Sequence, residues 1–234
     1  MQLKKYPKTY KLLVDYMQIG FGETTVNCPY WINKLAKGMR GPYSGKGTPS
    51  QVKHAASLRA AKLGVDLTRL SQRDLLTFLK QNRIGIDCSG LVYNLVDCLD
   101  KEKGGQGVAP RLFGSLDFPD WNPAWRANAD KLTSHQVTRK VELTNVHVGD
   151  LIRLQNGKHV LFVVDKTDDS LGYVHSSRLL TKVTGVHLGK ITIVDWGKGL
   201  EVQNWLEATP NGANFGQKYF NPVVGDSLRR FTWW

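Results

Sequence analysis

Ile86-Asp87-Cys88-Ser89-Gly90-Leu91-Val92 is the stretch on which the fold turns. Beyond it, Leu91, Val92, Leu95, Val96 and Leu99 recur at helical spacing, so Cys88 falls in the first turn of an apolar-faced helix. A helix N-terminus carries unpaired N–H groups and partial positive charge. That field favours a thiolate, the nucleophilic form of cysteine, and the same N–H groups suit an oxyanion. Asp87 is placed either to cap the helix or to meet a ligand beside the sulfur. Cys98, further along the same helix, reads as a small hydrophobe of the core.

A nucleophilic cysteine needs a base, and two later segments offer one. Val148-Gly149-Asp150-Leu151-Ile152-Arg153-Leu154, then Asn156-Gly157, then His159-Val160-Leu161-Phe162-Val163-Val164 reads as a β-hairpin with His159 opening its second strand. Gly172-Tyr173-Val174-His175-Ser176-Ser177 reads as a neighbouring strand that ends near His175. A base on one strand with an orienting group on the next is the logic of a catalytic triad. His187, in Gly185-Val186-His187-Leu188-Gly189, lies between strand candidates and rivals His175 as the third residue.

Asp-Cys-Ser-Gly-Leu-Val, then Gly-Asp-Leu before a hairpin and His-Val, then His-Ser-Ser, resembles the NlpC-type family of papain-like cysteine peptidases over roughly residues 30 to 231. The resemblance implies an α+β, papain-like fold, with a nucleophile-bearing helix packed on an antiparallel sheet. It implies Cys88 as nucleophile, His159 as general base and His175 as its orienting partner. It also implies that Asp87 and Ser89 bind a free substrate amine, and that a Pro-Tyr places a tyrosine near the sulfur. Pro29-Tyr30 follows a helical segment as in the family and is preferred; Pro42-Tyr43 is the other candidate. The implied substrate is an amide bond in a peptidoglycan stem peptide, cleaved through a thioester with no metal or organic cofactor. Two other functions fit parts of the sequence. One is a papain-like acyltransferase or lipid-directed thiol hydrolase, which predicts an apolar groove. The other is a non-catalytic module that binds wall polymer or nucleic acid, which predicts an unreactive Cys88.

Composition narrows the class. At 234 residues and 41% apolar, the chain is long enough for one domain with a buried core. The net charge of +12 favours anionic surroundings such as wall polymers, but the basic residues are spread out and no zinc-finger, RNP or homeodomain pattern accompanies them. No specific nucleic-acid partner is therefore expected, and the chain reads as a monomer. Three cysteines at 28, 88 and 98 make no disulfide framework and no structural zinc pattern. Met1-Gln2-Leu3-Lys4-Lys5 has the charge of a leader's first segment, but Asp15 breaks the apolar run that follows Lys11. No signal peptide or transmembrane segment is recognised. The chain reads as cytoplasmic, as leaving by lysis or a non-classical route to act on the wall, or as having lost a leader.

The rest of the chain reads as one domain over 1–234. A helix over 9–20 stops at Gly20-Phe21-Gly22. Residues 27–47 form an irregular loop. Thr48-Pro49 starts a helix ended by Gly64, and Ser71 caps another to about residue 82. This pair, 48–82, reads as an insertion, either scaffolding or a cap over the cleft. Residues 101–130 read as irregular, with a flexible Lys101–Gly107 loop and the aromatics Phe118, Trp121 and Trp125 pinning it to the body. Strands are expected at 190–194 and 223–231, with 200–205 a strand or cleft wall, and the two terminal tryptophans packing on the body.

Overall fold

Val160 to Val164 form a continuous apolar run because both of its faces are buried. Val160, Phe162 and Val164 join one core, and Leu161 and Val163 join another on the opposite face. In the computed structural model, which describes residues 1–114 and 122–234, this run is the strand β5 (His159–Lys166) at the centre of a seven-stranded antiparallel sheet. Its other strands are β3 (Thr138–Lys140), β4 (Leu151–Leu154), β6 (Ser170–Ser177), β7 (Gly185–Thr192), β8 (Asn204–Trp205) and β9 (Ser227–Phe231). The spatial order is β3-β9-β4-β5-β6-β7-β8. The fold is α+β: helices dominate the first half of the chain and the sheet the second.

The helix α4 (Cys88–Glu102) lies in the first core with α1 (Pro7–Met17), α2 (Pro49–Leu63) and α3 (Gln72–Gln81). Asp87 caps α4, its side chain accepting from the Gly90 N–H at 2.7 Å. Thr48 and Gln51 cap α2 reciprocally, Pro49 occupies its first position, and Gly64 ends it in the left-handed conformation. Ser71 caps α3. The 48–82 pair thus starts and stops where its capping residues dictate, and its apolar face (Val52, Ala56, Leu75 and Leu79) belongs to the same core as α4.

Some expectations shift. The first helix covers residues 7–17, and Gly20-Phe21 is strand rather than stop: β1 (Ile19–Phe21) pairs with β2 (Thr24–Val26) around the left-handed Gly22. The strand expected at 190–194 begins earlier, at Gly185. The last strand begins later, at Ser227, because Pro222 opens a short 3-10 turn. Residues 200–205 divide into a 3-10 turn and β8. The Lys101–Gly107 loop is tied down: α4 runs through Glu102, and the Asp100 and Asp97 carboxylates accept from the Gly107 and Val108 N–H groups. Two short helices, α5 (Ala109–Phe113) and α6 (Ala129–Leu132), flank the residues beyond. Cys98 is half-buried rather than core, whereas Cys28 is fully buried. Phe118 and Trp121 lie outside the described residues. Trp125 sits half-exposed in the 123–126 turn. Trp233 and Trp234 pack on Phe231, and each indole N–H donates to Asp100.

Candidate active site

The first turn of α4 leaves two N–H groups outside the helical ladder, those of Cys88 and Ser89, since Gly90 donates to the Asp87 carboxylate and Leu91 to the Asp87 carbonyl. The Cys88 thiol is buried and meets the backbone N–H groups of Ser89 and Val160. Burial pushes it up to about 12, with the Asp87 charge adding to the rise; the Lys46 charge and those two N–H groups pull against them. The helix field that favours a thiolate is opposed here by burial. Desolvation outweighs it, and the resting sulfur is a thiol that needs a base.

His159 is positioned by its hairpin. Leu154 pairs with His159, and the turn between them runs through Gln155, Asn156 and Gly157 in the left-handed region. The buried Asp226 carboxylate holds that turn, accepting from the Gln155 and Asn156 N–H groups at 2.9 and 2.8 Å. His159 and Cys88 line the same cleft of about 310 Å³, with Tyr30, Lys34, Lys158, Ser177 and Arg178 around it. Tyr30 is held there because the Pro29 carbonyl accepts from Ile86 N–H at 2.9 Å, laying its segment beside the start of α4. Burial and the nearby Cys88 and Asp87 raise its hydroxyl pKa. Tyr43 is not among the residues lining this cleft.

Behind His159 runs a buried polar chain. His159 Nε2 lies 2.8 Å from His175 Nδ1, and His175 Nε2 lies 3.1 Å from Glu207 Oε1. His175 faces His187 directly across β6 and β7, and His187 Nε2 also reaches Glu207 Oε1. The Tyr173 hydroxyl donates to Glu207 Oε2 at 2.6 Å, and the His187 ring meets the Gly185 carbonyl through Nδ1. His187 is therefore in mid-strand rather than between strands. Gly189 keeps that strand continuous: it pairs with Tyr173, and a side chain there would collide with the Tyr173 ring. Both rival histidines reach Glu207, and their Nε2 atoms lie 2.9 Å apart, but it is His175 that touches His159.

Burial opposes ionisation of Glu207, yet hydrogen bonds from His175 and His187 outweigh it and hold the carboxyl well below the usual range. An ionised Glu207 accepts the His175 Nε2 proton. His175 Nδ1 is then the bare acceptor, His159 Nε2 the donor, and His159 Nδ1 the free lone pair. Burial, and then the His175 ring, depress the pKa of His159 well below the ordinary histidine value; Glu207 counters them. His159 thus rests as a neutral base. His175, His187 and Glu207 are also the one group among the described residues able to hold a metal ion, their ligand atoms all lying within 4.8 Å of one another.

No family model, curated protein or solved structure matches the chain. The chemistry must come from the site itself. Two buried side-chain oxygens among the described residues have no hydrogen-bond partner, Asp87 Oδ2 and Ser177 Oγ. Both residues line clefts that include Cys88 and Tyr30, Ser177 in the His159 cleft and Asp87 in an adjoining one of about 340 Å³. Asp87 Oδ1 and Ser89 Oγ, by contrast, are already occupied by the ammonium of Lys46. A larger cleft, about 590 Å³, lies elsewhere: it reaches His187 and Glu207 but not Cys88. Sequence reasoning missed Glu207, Tyr173, Ser177 and Lys46. Ser177 stands in the His-Ser-Ser segment; the other three carry no local pattern. Among the described residues no helix is long and apolar enough to cross a membrane.

Proposed function

We propose that this chain is a papain-like cysteine peptidase or amidase that hydrolyses amide bonds in peptidoglycan stem peptides. The reading rests on one observation above the others: a buried thiol at a helix N-terminus shares its cleft with a neutral histidine backed by a histidine–carboxylate relay. His159 Nδ1 takes the Cys88 proton, and the sulfur attacks the substrate carbonyl carbon. The Cys88 N–H stabilises the oxyanion. The tetrahedral intermediate collapses to a thioester as His159 returns its proton to the leaving amine. Water, deprotonated by His159, then releases the acid and regenerates the thiol. His175 and Glu207 hold the His159 tautomer and stabilise the imidazolium formed on the way.

The resemblance of the Asp-Cys-Ser-Gly, His-Val and His-Ser-Ser blocks to NlpC-type peptidases supplies the substrate class. The cleft agrees with it: Lys34, Lys158 and Arg178 suit the carboxylates of a stem peptide better than a lipid chain. Digestion of purified muropeptides by the wild type and by Cys88→Ala, read by mass spectrometry, tests the reading. Cleavage that disappears in the variant supports it and names the bond. No cleavage by the wild type across several stem-peptide types rejects the wall-peptide substrate.

A further inference from the structure

Lys46 is buried, and the fold goes to some length to keep it there. Its ammonium sits 2.8 Å from Asp87 Oδ1 and 2.5 Å from Ser89 Oγ, the side chains flanking the nucleophile. The loop that delivers it passes through three consecutive left-handed residues, Tyr43, Ser44 and Gly45. Two of these are not glycine, so the backbone there is strained. The loop is fastened to α4 on both sides: the Asp87 N–H donates to the Gly45 carbonyl, and the Asn94 amide donates to the Lys46 carbonyl. Gly90 is bare because a Cβ there would strike the Gly45 carbonyl at 2.7 Å and the Lys46 side chain at 2.9 Å.

A carboxylate and a hydroxyl side by side next to a nucleophile make a good site for a substrate ammonium. Here the chain fills it with its own cation. The charge of Asp87 is neutralised, which leaves an uncharged pair with one unused acceptor, Asp87 Oδ2. Such a group prefers a neutral N–H donor. Bringing in a second ammonium would set two cations on one carboxylate in a dry site, a costly arrangement.

We propose that Lys46 is a specificity-determining residue that occupies the ammonium position beside Cys88, so that the site takes substrates whose nearby nitrogen is acylated, an interior amide rather than a free amino terminus. This deepens the peptidase reading, and its kinetic test rests on that reading; its binding test does not.

The binding test titrates L-alaninamide, a small primary ammonium, into Cys88→Ala and into Cys88→Ala/Lys46→Met, followed by calorimetry. The single variant is expected to show no saturable binding and the double variant to bind, with at least about a tenfold difference in affinity. Equal binding by both overturns the proposal. Should the methionine variant not fold, wild-type protein is labelled with an amine-reactive acetylating reagent. Lys46 is expected to be modified at least about tenfold more slowly than the exposed lysines, as its burial in an ion pair requires. Labelling at the rate of exposed lysines overturns the proposal. The kinetic test compares one stem peptide with its amino terminus free and acetylated. Preference for the acetylated form by about tenfold or more supports the proposal, and preference for the free amine overturns it. If neither peptide is cleaved, the peptidase reading fails and the binding and labelling results decide the role of Lys46.

Discussion

The two ends of the buried polar chain are built differently. At the Glu207 end the carboxylate is saturated: His175 and His187 reach one oxygen, and Tyr173 donates to the other. At the Cys88 end two oxygens, on Asp87 and Ser177, are buried and unpartnered. Buried polar groups are nearly always paired, because leaving one bare costs about 1–3 kcal/mol. Stability therefore explains the closed end. It does not explain the open end, whose two bare atoms belong to residues that line the clefts beside Cys88. On the proposed mechanism, the contrast separates groups that hold the machinery from groups that a substrate would partner.

Mutation should divide the two ends in how stability and activity move. The largest effect belongs to the reacting pair: Cys88→Ala or His159→Ala is expected to lower kcat on a stem peptide by about 10³-fold or more. Steady-state kinetics with mass-spectrometric product detection checks this, and retention of activity in either variant would remove the residue from the mechanism. Next comes the closed end. Glu207→Gln is expected to reduce kcat about 10- to 100-fold and also to lower the melting temperature, because it removes the charge that fixes the relay and leaves its donors mismatched. A variant as stable as wild type would show that the carboxylate is not the organising charge.

The pH profile sharpens the same point. His159 must be neutral to act, and its pKa is depressed by burial and by His175. Activity should persist as pH falls below the ordinary histidine value of about 6.5 and fail only further into acid. Glu207 raises the His159 pKa, so Glu207→Gln should move that acid limb lower still. An acid limb at or above about 6.5 in the wild type would contradict a desolvated base. Chelation is expected to leave turnover unchanged, since the proposed steps call on no metal. Loss of activity on chelation, restored by zinc, would reassign the His175–His187–Glu207 cluster to a metal.

The smallest effects are the most diagnostic. Ser177→Ala at the open end should lower kcat/KM about tenfold while leaving the melting temperature level or slightly raised, because it deletes a buried hydroxyl that has no partner. Tyr173→Phe at the closed end should cost about 1–2 kcal/mol of stability and only a few-fold in kcat. If both variants moved stability and activity together, the distinction between the two ends would collapse.

The same division marks what was legible in the sequence. The helix behind Cys88, its Asp87 cap and the hairpin presenting His159 are local events, set by apolar spacing, capping chemistry and turn residues. His175 could be set beside His159 because both lie in short apolar runs readable as strands, His159 opening β5 and His175 near the end of β6. Glu207 could not. It follows β8, a strand of two residues, and reaches the histidines only because Trp205 pairs with Ile191 at the sheet edge. Lys46 was hidden in a glycine-rich loop whose path depends on left-handed residues and on the start of α4. The resting state of the sulfur was hidden for a related reason: a helix terminus is visible in sequence, but the burial that outweighs its field is not.

The order of residues along the chain has a consequence of its own. Lys46, Asp87, Cys88 and Ser89 all precede residue 103, whereas His159, His175, Ser177, His187 and Glu207 all follow residue 137. One contiguous portion carries the sulfur and the polar side chains around it, and the other carries the three histidines, Ser177 and Glu207. They meet where α4 lies against β5 in a shared apolar core. On the proposed mechanism, turnover is therefore a report on docking. Two fragments divided near Gly104 would each be chemically incomplete, and turnover on mixing them would measure how well the helical and sheet portions recognise one another without a peptide bond between them.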